Sequence, residues 1–131
     1  MLIKGAHHVA IRVNGEKILK EEIAFYCDLL GMQLMRSWGQ GTDSACTMGI
    51  GDLIIEMFAN AGENRAVGPI DHIALSTDDV DECIDKVRRA GFKVTVEPMD
   101  IEFPPKDRPL KARVAFCEGP AGESVEFFKE I

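Results

Sequence analysis

Long apolar runs are missing from this chain; no stretch approaches the ~18 consecutive apolar residues that a membrane-spanning helix needs. The opening Met1-Leu2-Ile3-Lys4-Gly5-Ala6-His7-His8 also lacks the apolar core and cleavage site of an export signal. A cytoplasmic protein is therefore expected. Basic residues are outnumbered, with 15 Lys and Arg against 22 Asp and Glu and a net charge of −7. That balance argues against a nucleic-acid or anionic-membrane partner, since either surface requires clustered cations. It leaves room for an anionic small molecule, which a few local Arg or Lys side chains can hold. Cysteine is sparse and scattered: Cys27, Cys46, Cys83 and Cys117 form no Cys-x-x-Cys pair. Without an export signal, they read as reduced thiols that fill the core.

What is present is a globular composition, 46% hydrophobic and 28% charged, over 131 residues. This is enough for one self-sufficient core and too little for two ordinary domains. Within that length the chain repeats itself. His7-His8-Val9-Ala10-Ile11 near the start returns as Asp71-His72-Ile73-Ala74-Leu75 at the middle. Each copy opens a half that closes on a strand-like run with one glutamate in apolar company: Leu53-Ile54-Ile55-Glu56-Met57-Phe58 and Ser124-Val125-Glu126-Phe127-Phe128.

The elements between them also repeat. Residues 5–13 alternate and carry β-branched side chains, predicting a strand with His8, Ala10 and Arg12 on one face. Asn14 is positioned to cap a helix over 16–30, where Leu19, Ile23, Tyr26 and Leu30 recur at helical spacing before Gly31. Strands are predicted at 32–38, 43–50 and 52–59, separated by Gly-rich turns. The second half predicts a strand at 70–76 and an acidic cap at Thr77-Asp78-Asp79. A helix bearing Val80, Ile84 and Val87 follows and ends at Ala90-Gly91, before strands at 92–97, 111–118 and 123–129. The expected class is α+β. Two tandem βαβββ modules, 5–60 and 70–131 with a linker at 61–69, form one domain whose curved mixed sheet surrounds a cleft. The one asymmetry is a proline-rich stretch from Pro98 to Pro109, expected to be a long loop of the kind that serves as a lid or contact surface. Its Lys106 and Arg108 read as solvated loop cations, and the single tryptophan, Trp38, as core or near a pocket.

Alternation along each strand sorts the polar residues. His8 shares a face with Arg12, Glu56 with Asn60, His72 with Ser76, and Glu126 with Ser124. One glutamate on a half-exposed strand needs no explanation. Two at equivalent places, each matched by a histidine, point to something that neutralises them, because an unpaired buried carboxylate is costly. A divalent cation balances two carboxylates, and two imidazoles with two carboxylates suit Zn, Ni, Co, Mn or Fe(II). His7 is a rival to His8 as a ligand. His8 is preferred because it aligns with His72 and because His7 is expected on the strand face opposite Arg12.

These motifs resemble those of the vicinal oxygen chelate superfamily, which includes glyoxalase I, methylmalonyl-CoA epimerase, fosfomycin-resistance proteins and extradiol dioxygenases. The resemblance rests on His8-Val-Ala-Ile, Phe25-Tyr26-(x4)-Gly31-Met32, Ile55-Glu56-Met57-Phe58, Asp71-His72-Ile73-Ala74-Leu75 and Gly119-Pro120-Ala121-Gly122-Glu123-Ser124-Val125-Glu126. It implies a metal held by His8, Glu56, His72 and Glu126, the ligand set of the short bacterial glyoxalase I type, with nickel or cobalt favoured and zinc or manganese possible. It further implies that Arg12 and Asn60 hold the glutamyl end of glutathione or of another thiol adduct. The implied reaction is conversion of a 2-oxoaldehyde hemithioacetal to a 2-hydroxyacyl thioester through an enediolate. Glu126 would be the general base, and Glu56 a ligand or a group acting on the opposite substrate face. Family members of this type are homodimers. An epimerase acting beside a thioester, or a non-catalytic drug-binding protein, is the alternative within the same superfamily.

Overall fold

The computed structural model describes residues 6–63, 69–103 and 110–131. Lys106, Arg108 and the middle of the expected linker lie outside the described residues. The chain divides into two compact units, Met1–Arg65 and Ala66–Ile131. The architecture is α+β, a four-stranded mixed sheet with its own helix in each unit.

The first unit runs β1 (Val9–Arg12), α1 (Gly15–Ile23), a π-helical turn (Ala24–Leu29), β2 (Gln33–Trp38), a short 3-10 turn (Gly41–Asp43), β3 (Ala45–Ile50) and β4 (Leu53–Phe58). The second runs β5 (Ile73–Ser76), α2 (Val80–Arg89), β6 (Val94–Phe103), β7 (Leu110–Glu118) and β8 (Ser124–Glu130). The sheet orders are β1-β4-β3-β2 and β5-β8-β7-β6, so the two units share one topology. In each, the first strand lies parallel to the last, which is reached only through a helix and two further strands. The remaining pairings are antiparallel.

The parallel register matters most for the site. Ala10 faces Glu56 across β1 and β4, and Ala74 faces Glu126 across β5 and β8. One face of each sheet carries the helix. In the second unit Val125, Phe127, Ala115 and Cys117 are buried on the face that also bears Arg113. Arg113 reaches α2 directly, its Nε and Nη2 donating to the Asp81 carboxylate at 2.6 and 2.8 Å, while Nη1 donates to Asp100 at 2.9 Å. In the first unit Cys46, Met48, Ile55 and Met57 form the equivalent buried layer. The glutamates, one residue out of phase with these, lie on the opposite face.

Helix ends explain several turns. The Asp79 carboxylate accepts from the Glu82 amide at 2.9 Å, and Thr77 Oγ1 accepts from the Asp79 amide at 3.1 Å, capping α2. At its far end Gly91 adopts φ +90°, and the Phe92 amide donates to Val87 O at 3.0 Å, closing the helix as a Schellman turn. α1 differs from expectation at both ends. Asn14 occupies the N-cap position without a side-chain cap bond; instead it forms a backbone bridge with Asn60. The predicted single helix widens after Ile23 into the π-helical turn, with the Leu30 amide donating to Phe25 O at 3.1 Å.

Two other expectations are corrected. The opening strands begin at Val9 and Ile73, not at residues 5 and 70, because pairing with β4 and β8 starts only there. Residues 98–103 belong to β6 and not to a loop. Pro98 is tolerated because β6 is an edge strand whose register shifts between Val94 and Val96 and again between Val96 and Met99, where a missing N–H breaks no ladder bond. In β2 a register shift between Leu34 and Arg36 sets Arg36 and Trp38 opposite Thr47 and Ala45, on the Glu56 face.

Candidate metal half-sites

Each unit brings one histidine and one glutamate together by the same construction. His8 precedes β1 and His72 precedes β5, each two residues before the alanine that faces the glutamate in register. His8 Nε2 lies 3.6 Å from Glu56 Oε1, and His72 Nε2 lies 3.0 Å from Glu126 Oε2. Both glutamates are shielded, their side chains 24% and 9% exposed. A shielded carboxylate with an imidazole nitrogen at this distance is a donor pair that suits a divalent cation.

The distances test the fit. Metal–nitrogen and metal–oxygen bonds of about 2.1 Å put neighbouring ligand atoms about 3.0 Å apart at a right angle and about 3.4 Å apart at a tetrahedral angle. The observed 3.0 Å matches the right-angle separation, and 3.6 Å lies slightly beyond the tetrahedral one, so each pair is close enough to flank one ion after a small side-chain adjustment. Among the described residues, no further His, Cys, Asp or Glu joins either pair to make a group of three within its own unit.

The other ring nitrogen of each histidine is also engaged. His72 Nδ1 lies 2.8 Å from Asp71 Oδ2, and His8 Nδ1 lies 2.9 Å from His7 Nδ1, with the two imidazoles edge to face at 5.1 Å. His7 therefore does not turn away from His8 as strand alternation predicts. The residues before Val9 lie outside the strand, where alternation does not apply. Phe116, level with Glu126 on β7, packs edge to face on His72 with ring centres 5.4 Å apart. Neither Phe116 nor the role of Asp71 was found by sequence reasoning. Asp71 stood in the repeated motif, while Phe116 has no local signal and becomes visible only through the β7–β8 register.

Arg12 and Asn60 form a unit of their own. Arg12 Nε donates to Asn60 Oδ1 at 2.9 Å, and Arg12 Nη2 donates to the Asn60 carbonyl at 2.9 Å. Arg12 stands level with Phe58, two residues beyond Glu56 on the same face, which Trp38 extends with its ring 6.4 Å from that of Phe58. Trp38 is thus a half-exposed side chain, 44% accessible, and not a core residue.

These features define a duplicated α+β protein of two βαβββ units, each presenting a histidine–glutamate pair on its sheet. The chain belongs to the Glyoxalase/Bleomycin resistance protein/Dioxygenase superfamily, whose family model matches residues 5–127. It is 32% identical to a probable lactoylglutathione lyase of Synechocystis sp., over 93% of this chain and 92% of that protein. Among solved structures, glyoxalase I from Zea mays superposes with a TM-score of 0.72 at 25% identity, covering 93% of this chain and 43% of the maize chain. An antibiotic binding protein from Streptomyces sp. superposes with a TM-score of 0.73 at 17% identity over 100% of this chain and 99% of that one, a likeness of fold alone.

Proposed function

We propose that this protein is a metal-dependent lyase of the glyoxalase I type, which isomerises the hemithioacetal of a 2-oxoaldehyde and a thiol to a 2-hydroxyacyl thioester. The observation that supports it most is the repeated histidine–glutamate pair, set in the same register in both units. On this reading His8, Glu56, His72 and Glu126 are the four protein ligands of one divalent ion, nickel or cobalt by preference and zinc or manganese as substitutes. The ion, when bound, supplies a Lewis acid that stabilises negative charge developing on two neighbouring substrate oxygens.

The chain's own residues do the rest. Glu126 takes the proton from the carbon that bears the thiol and returns it to the adjacent carbon, so one C–H bond breaks, another forms, and no external oxidant is needed. Its short contact to His72 and its low exposure support that role, because they hold the carboxylate in a fixed place away from bulk water. Glu56 remains a ligand or acts on the opposite substrate face. Arg12, braced by Asn60, offers its guanidinium to an acidic end of the thiol, as the glutamyl group of glutathione would present. A cytoplasmic homodimer is the form expected to do this.

The test is a hemithioacetal assay with methylglyoxal and glutathione on chelated protein, restoring Ni²⁺, Co²⁺, Mn²⁺ or Zn²⁺ one at a time. Thioester formation should return with metal, and Glu126→Gln should lower its rate by roughly 10²–10⁴-fold. Metal binding without thioester from any common thiol would discard the proposed reaction. Binding of an apolar drug-like ligand by metal-free protein would favour a sequestering role instead.

A further inference from the structure

An imidazole has two ring nitrogens on opposite sides, and the hydrogen bond made by one decides which is left bare to bind a metal. In both units the residue immediately before the histidine makes that bond. Asp71 Oδ2 approaches His72 Nδ1 at 2.8 Å while Nε2 faces Glu126, and His7 Nδ1 approaches His8 Nδ1 at 2.9 Å while Nε2 faces Glu56. Two unlike side chains occupy one position of the repeat and meet the same ring nitrogen.

Adjacent residues in a regular strand point to opposite faces and cannot meet in this way. Here β1 starts at Val9 and β5 at Ile73, so each histidine and its predecessor lie in irregular backbone that lets both side chains turn to one side. The late start of each opening strand therefore has a use at the site.

Resting on the four-ligand reading above, we propose that Asp71 and His7 are positioning residues. Each accepts a hydrogen bond from Nδ1–H of the following histidine, holding that ring with a bare Nε2 toward the glutamate and the metal. The two are not equivalent. An ionised carboxylate is purely an acceptor, so Asp71 allows only the Nδ1–H form of a neutral His72. His7 can accept or donate through its Nδ1, so it holds His8 less strictly. Asp71 should therefore contribute more to metal affinity than His7.

The experiment uses full-length protein with ¹⁵N-labelled histidine, loaded with Zn²⁺. Only three imidazoles are present, His7, His8 and His72, so a His7 variant assigns the spectrum. Long-range ¹H–¹⁵N correlations should show His8 and His72 both protonated at Nδ1 and metal-bound at Nε2. In competition with a chromophoric chelator, Asp71→Ala should weaken Zn²⁺ binding by roughly 10–100-fold, and Asp71→Asn, which keeps an acceptor oxygen, should restore most of it. His7→Ala should have a smaller effect in the same direction, reversed by His7→Asn. Asp71 is 77% exposed at its side chain, so the thermal midpoint of the metal-free Asp71→Ala protein should match that of the unaltered protein. Zn²⁺ on Nδ1 of either histidine, or unchanged affinity in Asp71→Ala, would overturn the assignment while leaving the four-ligand reading intact. Failure of the unaltered protein to bind Zn²⁺ would overturn both.

Discussion

Cys46 and Cys117 are fully buried, on β3 and β7 respectively, facing the helix of their unit. Burial withholds solvent from the thiolate and pushes the Cys46 thiol up to about 11 and the Cys117 thiol up to about 12, with nearby Cys27 and Glu22 adding to the first and Glu123 and Cys83 to the second. Because the thiolate is the reactive form, neither should react at neutral pH in the native protein. Labelling with a thiol reagent should spare Cys46 and Cys117 and modify all four cysteines only in denaturant; rapid native labelling of either buried thiol would contradict their placement. Cys27 and Cys83 are only partly buried, and burial beside Asp28 also raises Cys27, so their native labelling should be slow. At this scale the paired motifs were readable, since His8 with Glu56 and His72 with Glu126 recur as short, matched strings. The partners of their second ring nitrogens were not. Asp71 and His7 act through a backbone irregularity whose position is set by where β8 and β4 stop pairing, and no local residue preference encodes that.

At the scale of elements, α2 shows how much depends on local chemistry. Its cap is the Asp79 carboxylate on the Glu82 amide, so Asp79→Ala should lower the stability of the chain by about 1 kcal/mol in denaturant titration. Asn14→Ala, at the matching place before α1, should cost far less, because Asn14 makes no such bond. The clasp from β7 to α2 gives a pH signature. Hydrogen bonding from Arg113 holds the Asp81 carboxyl below its ordinary value, so folding gains stability above an unfolded pKa of about 4 and loses it as pH falls through the lower folded value. Asp81→Asn should remove that part of the acid dependence, and an unfolding curve below about pH 4 with unchanged slope would show that the pair contributes nothing. The pair is solvent-exposed, so the effect should also shrink in high salt.

Most elements were legible from alternation, helical spacing and glycine-marked ends, because those signals are local. Gly31 and Gly91 both adopt positive φ just past their helices, as C′ glycines do. The exceptions are tertiary in origin. Pro98 reads as a breaker, yet an edge position and a shifted register absorb it. The π-helical turn at Ala24–Leu29 and the Leu34–Arg36 irregularity change which side chains share a face without leaving a mark in composition.

At the scale of the whole molecule, duplication is the organising fact. Two units of one topology, Met1–Arg65 and Ala66–Ile131, each carry a histidine and a glutamate in the same register, and neither assembles three ligands from its own described residues. Two donors are too few for a tight divalent site, whereas four are the usual complement. On the proposed reading, His8, Glu56, His72 and Glu126 are the ligands of one ion. That reading is tested most directly by counting Ni²⁺ or Zn²⁺ bound per chain, by elemental analysis after equilibrium dialysis, in the unaltered protein and in His8→Ala, Glu56→Ala, His72→Ala and Glu126→Ala. One ion per chain is expected, with affinity falling sharply on loss of any one of the four, whichever unit holds it. Two ions per chain, or no ion, or tight binding that survives loss of either residue from one unit, would contradict it.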